Sequence, residues 1–307
     1  MIKKLWSMWD RFWFAPQDLL GLAFMRVLLC GTMVYMYVVR LMNMSYYGEN
    51  SWIPRSMALE ALPELYRPLF LWCIWPDSLN LVMHVLLVVL LVLLTLGIGG
   101  RWLMWMAWVI NMGFIQRNYS VNFGADIIAT LFLFYMSFTQ SCERLSVLNL
   151  LRKKTAFQFS DTLSSVMIRM MQVQICVIYA YTGWEKLKGG SWWDGTALWS
   201  VMANPQMTTM DFSFLRSVPW SIPVLAYTTI IFEVYFPAMV AWPKTRNLWL
   251  LAGFFFHAGI GVFMGLGPFA TTMVSTYFLF LNPLVLEQVV SRISTRFSSQ
   301  NETLLKN

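Results

Sequence analysis

Arg169, Gln172, Cys176, Tyr179, Gly183 and Lys186 recur at intervals of 3, 4, 3, 4 and 3. That spacing puts them along one stripe of a helix. A stripe of polar and small residues faces other helices or a cavity. Lys186 is its sharpest single candidate for chemistry. It follows Tyr179, Tyr181 and Gly183 and precedes Lys188-Gly189-Gly190 and Trp192-Trp193-Asp194-Gly195. A lysine held away from water loses its proton more readily and then works as a base or a nucleophile. The plainer reading is a lysine at a helix end that snorkels to the membrane interface. Counting along the apolar segments puts His84, Tyr119 and Asp126 in the same outer layer as Lys186. With it they form the candidate catalytic set. Arg26, Arg169, Glu233 and His257 count out to a second, deeper layer, about 5–9 residues in from the opposite ends of their segments at about 1.5 Å per residue. Arg26 or Arg169 is expected to pair with Glu233. The pair either fixes helix register or belongs to a proton relay through Glu233 and His257.

The elements that position these groups follow from composition. The chain has 307 residues, 58% hydrophobic and only 12% charged. A soluble domain carries about 25% charge. Mean hydropathy is +0.57. A soluble enzyme, a disordered chain and a disulfide-stapled secreted scaffold are excluded. The expected fold class is all-α, a polytopic membrane bundle of about eight transmembrane helices in a single domain over residues 1–290. A short cytoplasmic tail, 291–307, follows. The net charge of +7 is explained by loop asymmetry rather than by nucleic acid. Cys30, Cys73, Cys142 and Cys176 form no CxxC pair and read as small apolar side chains, with no metal site. Two histidines, His84 and His257, are too few for a di-haem cytochrome b.

The apolar segments are Leu19–Leu41, Leu79–Ile98, Trp102–Ile115, Gly124–Phe138, Ser164–Tyr181, Ile222–Trp242, Leu248–Leu266 and Thr271–Leu286. With both termini inside, the inner side holds 13 Lys and Arg and the outer side 7. The positive-inside rule therefore predicts N-in, C-in in the plasma (inner) membrane. The basic start (Lys3, Lys4, Arg11) and the long first apolar run read as an uncleaved span, not a signal peptide. Two long outer loops, Met42–Ser78 and Lys188–Ser221, are rich in Trp, Pro and Gly. Leu65–Trp75 and Ala197–Ala203 are expected as short interfacial helices. Trp72, Trp75, Trp192 and Trp193 would then sit at headgroup depth. No internal repeat supports an inverted-repeat transporter.

Tyr181-Thr182-Gly183-Trp184-Glu185-Lys186-Leu187, then Trp192 and Gly195-Thr196-Ala197-Leu198, resembles the horizontally transferred transmembrane (HTTM) domain family. That family includes the membrane part of vitamin K-dependent γ-glutamyl carboxylase and bacterial sporulation-delaying toxin maturation proteins. Leu22-Ala23-Phe24-Met25-Arg26 resembles the family's first-span arginine motif. Asn118 to Asp126 with Gly124, Glu233 with Pro237, and His257 through Phe263 are similar to later parts of its pattern. The resemblance covers nearly the whole chain. It implies that Lys186 stands where the carboxylase keeps the base that starts quinol oxygenation, and by resemblance alone it implies a quinone. Glu185 stands in place of a second lysine. Two departures point away from glutamate carboxylation. Tyr119 follows Asn118 where the carboxylase has a histidine, and tyrosine does not share a proton near neutral pH as imidazole does. The large lumenal domain is also expected to be absent.

Three functions remain in competition. One is a maturation or modification factor acting at the outer face on an exported peptide or a lipid-soluble substrate, with Lys186 as base. The second is a non-enzymatic subunit or chaperone that assembles with a partner membrane protein through its tryptophan-rich loops. The third is a transporter. Membrane lipids are partners in every case.

Overall fold

The computed structural model describes residues 2–48, 51–65, 67–152 and 158–292. The described residues form helices and loops, with one isolated bridge between Asp18 and Phe159. The helices are α1 (Ile2–Phe14), α2 (Leu20–Leu41), α3 (Arg55–Glu60), α4 (Arg67–Phe70), α5 (Asn80–Thr95), α6 (Arg101–Arg117) and α7 (Gly124–Met136). They continue with α8 (Val147–Leu151), α9 (Thr162–Lys188), α10 (Gly190–Trp193), α11 (Ala197–Met202), α12 (Ser221–Ala241), α13 (Pro243–Phe263) and α14 (Gly267–Tyr277). Seven of the eight apolar segments each fall on one helix, and the eighth, Thr271–Leu286, runs from α14 across a bend into a second helix. Among the described residues, five helices are long and apolar enough to cross a membrane: α2, α5 with the turn before it, α9, α12 and α13. A sixth crossing arises if α14 is counted with the helix Pro283–Arg292, to which it is bent by 113°. A span needs about 20 residues. The 17 residues of α6 and the 13 of α7 fall short of that, which leaves the expected count of eight unmet on length alone. The expected tail from 293 onward, the Trp72 side chain, Lys153, Lys154, Arg296 and Lys306 lie outside the described residues.

The most extensive helix pairs are α9 with α12 and α2 with α5. The bundle has two halves. In one, α5 packs on α2 and α6, and α6 packs on α7. In the other, α12 packs on α9 and α13. α14 joins them by packing on α13, α2 and α7. One continuous apolar core runs through both, from Leu22, Leu29 and Leu91 to Met171, Phe236 and Met273.

The outer loops carry the short α3, α4, α10 and α11. The segment Leu65–Trp75 forms α4 and a turn of tighter helix at Leu71–Cys73, not one interfacial helix. Pro63 and Pro76 bracket that stretch, and Pro68 lies within it. Ala197–Met202 is helical as expected.

α1 was not anticipated from the sequence as an element of its own. Its apolar residues Ile2, Leu5, Trp6, Met8, Trp9 and Phe12 are all exposed, as are Lys3, Lys4 and Arg11. Apolar residues at helical spacing with basic groups between them suit a helix lying in the plane of a membrane interface. It packs against α9.

Candidate functional site: the Lys186–Glu233 pair

Close approach of α9 and α12 builds the site. A Cβ at Gly183 would stand 2.9 Å from the Cγ2 and 2.9 Å from the backbone nitrogen of Val234. Only a hydrogen fits there, so the two backbones touch at this level. One turn later on α9, the Lys186 ammonium donates to Glu233 Oε2 at 2.7 Å. Pro237 lies four residues after Glu233 within α12. It removes the N–H that would bond the Glu233 carbonyl. The Lys186 side chain is 21% exposed and that of Glu233 only 7%. The lysine thus reaches the surface while its partner is enclosed. The indole of Trp192 covers the ammonium at 5.3 Å.

Beneath the pair lies a buried polar trio. The Tyr179 hydroxyl meets His257 Nε2 at 2.6 Å and the Tyr277 hydroxyl. Aromatic rings fill the space around it. Phe236 stacks on Tyr179 with centroids 4.0 Å apart, and Phe232 meets it edge-on at 5.5 Å. Gly253 admits the Tyr277 hydroxyl and the Phe232 ring against α13. His257 Nδ1 is buried without a hydrogen-bond partner.

The deep layer expected from residue counting does not assemble. Arg26 does not reach Glu233. It is fully buried and donates to the carbonyls of Ser141, Arg144 and Leu145. Arg169 donates to the Phe12 carbonyl and to Gln172 Oε1. Glu233 is level with Lys186 instead, and His257 bonds Tyr179. Residue counting assigns depth as though every helix began at one level. Gly183, near the far end of the 27-residue α9, faces Glu233 and Val234 in the second half of α12, so the two helices are offset along the bundle.

The outer candidates also separate. Asp126 is held by Arg40 in a two-point ion pair of 2.7 and 2.8 Å and accepts from the Phe123 N–H at 3.0 Å. His84 Nε2 is bonded to the Tyr37 carbonyl at 2.8 Å. Tyr119 sits on a surface turn, 49% exposed. These three belong to the α2–α7 half, and none is among the groups bonded to Lys186. Asp126 therefore does not serve as the lysine's partner. Its neighbours continue as a buried relay of amides and hydroxyls: Tyr37 donates to Asn111 Oδ1, Asn111 to Thr130, and Thr130 to the Asp126 carbonyl. This chain fixes helix register. Sequence reading missed Tyr179 and Tyr277 as partners of His257. The helical stripe marked Tyr179, whereas nothing in the sequence marked Tyr277.

This constellation, a Gly-x-x-Lys helix end set against a Glu-bearing helix, lies within a wider match. A family model described as the HTTM domain matches residues 14–284. The chain belongs to the HTTM domain family. The matched span includes Arg26, Lys186, Glu233 and His257. The HTTM chain is also similar to the sporulation-delaying protein SdpB of Bacillus subtilis (strain 168). The two are 21% identical over 182 residues, which is 58% of this chain and 56% of that protein. The chain thus spans about half the length of the curated relative it matches. No solved structure matches it. Family and helices together make this an integral membrane protein of all-α architecture.

The HTTM resemblance also raised a quinone. A quinone needs a flat apolar slot against the lysine. Here Glu233 occupies the inward side of the ammonium, and the stacked rings of Tyr179 and Phe236 close the space below. On its inward side Lys186 therefore offers no apolar slot for a quinone ring.

Proposed function

We propose that this protein is a membrane-embedded maturation or modification factor. It acts at the Lys186 end of the bundle on an exported peptide or a lipid-soluble substrate. The observation that carries the reading is the asymmetry of the ion pair. An enclosed carboxylate holds a lysine whose side chain stays partly exposed. In a low-dielectric site such a pair stores a proton that either partner can hold. Lys186 would meet the substrate, and Glu233 would take and return the proton. Membership of the HTTM domain family and similarity to a sporulation-delaying protein support a membrane maturation-type role. The excess of Lys and Arg at the α1 end supports a plasma-membrane orientation with both termini inside, which puts Lys186 on the outer side.

A second reading is favoured by a specific observation. Tyr181, Trp184, Trp193 and Trp220 are all exposed around the Lys186 end. A rim of aromatics also suits a non-enzymatic subunit docked on a partner membrane protein.

The test compares the exported peptides and extractable lipids of cells producing wild-type protein, Lys186→Met or no protein, by mass spectrometry. The maturation reading expects a mass change that depends on the wild-type chain and is absent with Lys186→Met at equal membrane abundance. The same change with Lys186→Met would refute the role of the lysine. A stoichiometric partner protein with no mass change would establish the subunit reading.

A further inference from the structure

A second site lies at the opposite end of the bundle. A partly open groove of about 930 Å³ runs between α9, α12, the end of α1 and the bend after α14. Binding pockets for drug-sized ligands span about 300–1,000 Å³. Its wall is apolar, formed by Val173, Cys176, Val177, Ala180, Val240 and Ala241. Arg169 and Arg246 also line it. Arg169 uses Nε on the Phe12 carbonyl at 2.9 Å and Nη1 on Gln172 at 2.7 Å. Arg246 uses Nε on the Val240 carbonyl at 2.8 Å and Nη2 on Ala241 at 3.4 Å. Among the described residues neither forms a salt bridge with a carboxylate. Asp18 is the carboxylate in the lining, and its Oδ1 is taken by the Leu20 N–H at 2.7 Å.

Two unneutralised guanidinium groups beside an apolar channel are costly unless an anion joins them. Arginine's planar fork matches phosphate oxygens. We propose that this groove binds one anionic phospholipid, with its phosphate between Arg169 and Arg246 and an acyl chain along the α9–α12 wall. The position of α1 selects a lipid over a free phosphate. Phe12 of this exposed basic amphipathic helix lines the groove, and the Arg169 guanidinium lies 4.9 Å from its ring. A helix of that kind lies at headgroup height, where anionic lipids are the abundant anions.

The test is native mass spectrometry of the full chain released from mixed micelles of neutral detergent with phosphatidylglycerol or phosphatidylcholine. One phosphatidylglycerol is expected to remain bound, at least tenfold more than phosphatidylcholine. Arg169→Gln combined with Arg246→Gln is expected to lose that retention at least tenfold. Should the double variant fail to fold, Ala180→Phe fills the exposed apolar wall without touching either charge, and it is expected to lose the lipid too. Retention unchanged in Ala180→Phe, or equal retention of the two lipids, overturns the proposal. Displacement of phosphatidylglycerol by millimolar inorganic phosphate would show a free-anion site and also overturn it.

Discussion

Replacing Gly183 by alanine tests the contact on which the candidate site rests. The new Cβ would meet Val234 Cγ2 at 2.9 Å, its backbone nitrogen at 2.9 Å and the Glu233 carbonyl carbon at 3.3 Å. A valine methyl can rotate away, but a backbone nitrogen cannot. The helices must part by several tenths of an ångström. Overpacking of this kind costs about 1–3 kcal/mol. Alanine returns about 0.8–1.0 kcal/mol of helix propensity over glycine. The net is a loss of about 0–2 kcal/mol, centred near 1. Gly259 in α13 is the control. A Cβ there meets only the Phe263 ring at 3.8 and 3.9 Å, which is ordinary contact, so Gly259→Ala keeps the propensity gain of about 1 kcal/mol. The two substitutions are the same on paper and opposite in sign. Thermal unfolding in one detergent would show it, at about 2–4 °C per kcal/mol for a chain of this order of size. If Gly183→Ala gains stability as Gly259→Ala does, α9 and α12 are not in backbone contact.

Two further outcomes follow from the geometry. Arg26→Met strips the donor from three loop carbonyls; at about 1 kcal/mol or more for each buried acceptor left unpaired, thermal unfolding should register a loss of at least about 3 kcal/mol. Asp161, just before α9, is raised by burial but lowered more by hydrogen bonds from Ser164 and Arg101, so its carboxyl lies below the usual range. Its charge therefore adds stability that is complete above the ordinary aspartate value of about 3.9 and is lost as pH falls through the lower, folded value. The melting-temperature gap between wild type and Asp161→Asn should hold from pH 7 to 5 and close only below about 4.

The helices were legible because their cause is local. α2 and α12 begin and end within one residue of the apolar runs that predicted them, and the Arg169–Lys186 stripe follows from helical spacing alone. In the structure Arg169 and Cys176 line the groove, Tyr179 and Gly183 are buried, and Lys186 meets Glu233. Pairing between helices was not legible. It depends on how far each helix is shifted along the bundle, and a single residue such as Gly183 sets that shift. Counting from segment ends therefore put Glu233 with Arg26 and Arg169. α1 was overlooked for a different reason. Its basic residues were read as topology signals, while the Trp and Met between them, spaced for an interfacial helix, lay below the length of a span.

The Arg26 clamp sets the order in which the chain can mature during synthesis. Ser141 is made 115 residues after Arg26. At about 5–20 residues per second the ribosome needs roughly 6–23 s to cover that distance. Through that interval the first span is in the translocon or the lipid with a guanidinium and no carbonyl to bond, a cost of about 2.5–3.5 kcal/mol at a helix centre. Arg26 lies within two turns of the start of α2, so its side chain can wait at the headgroups. Its three acceptors lie in the loop after α7, so the clamp closes only once that loop has been made. The first hairpin is therefore provisional in position until the middle of the protein has been translated.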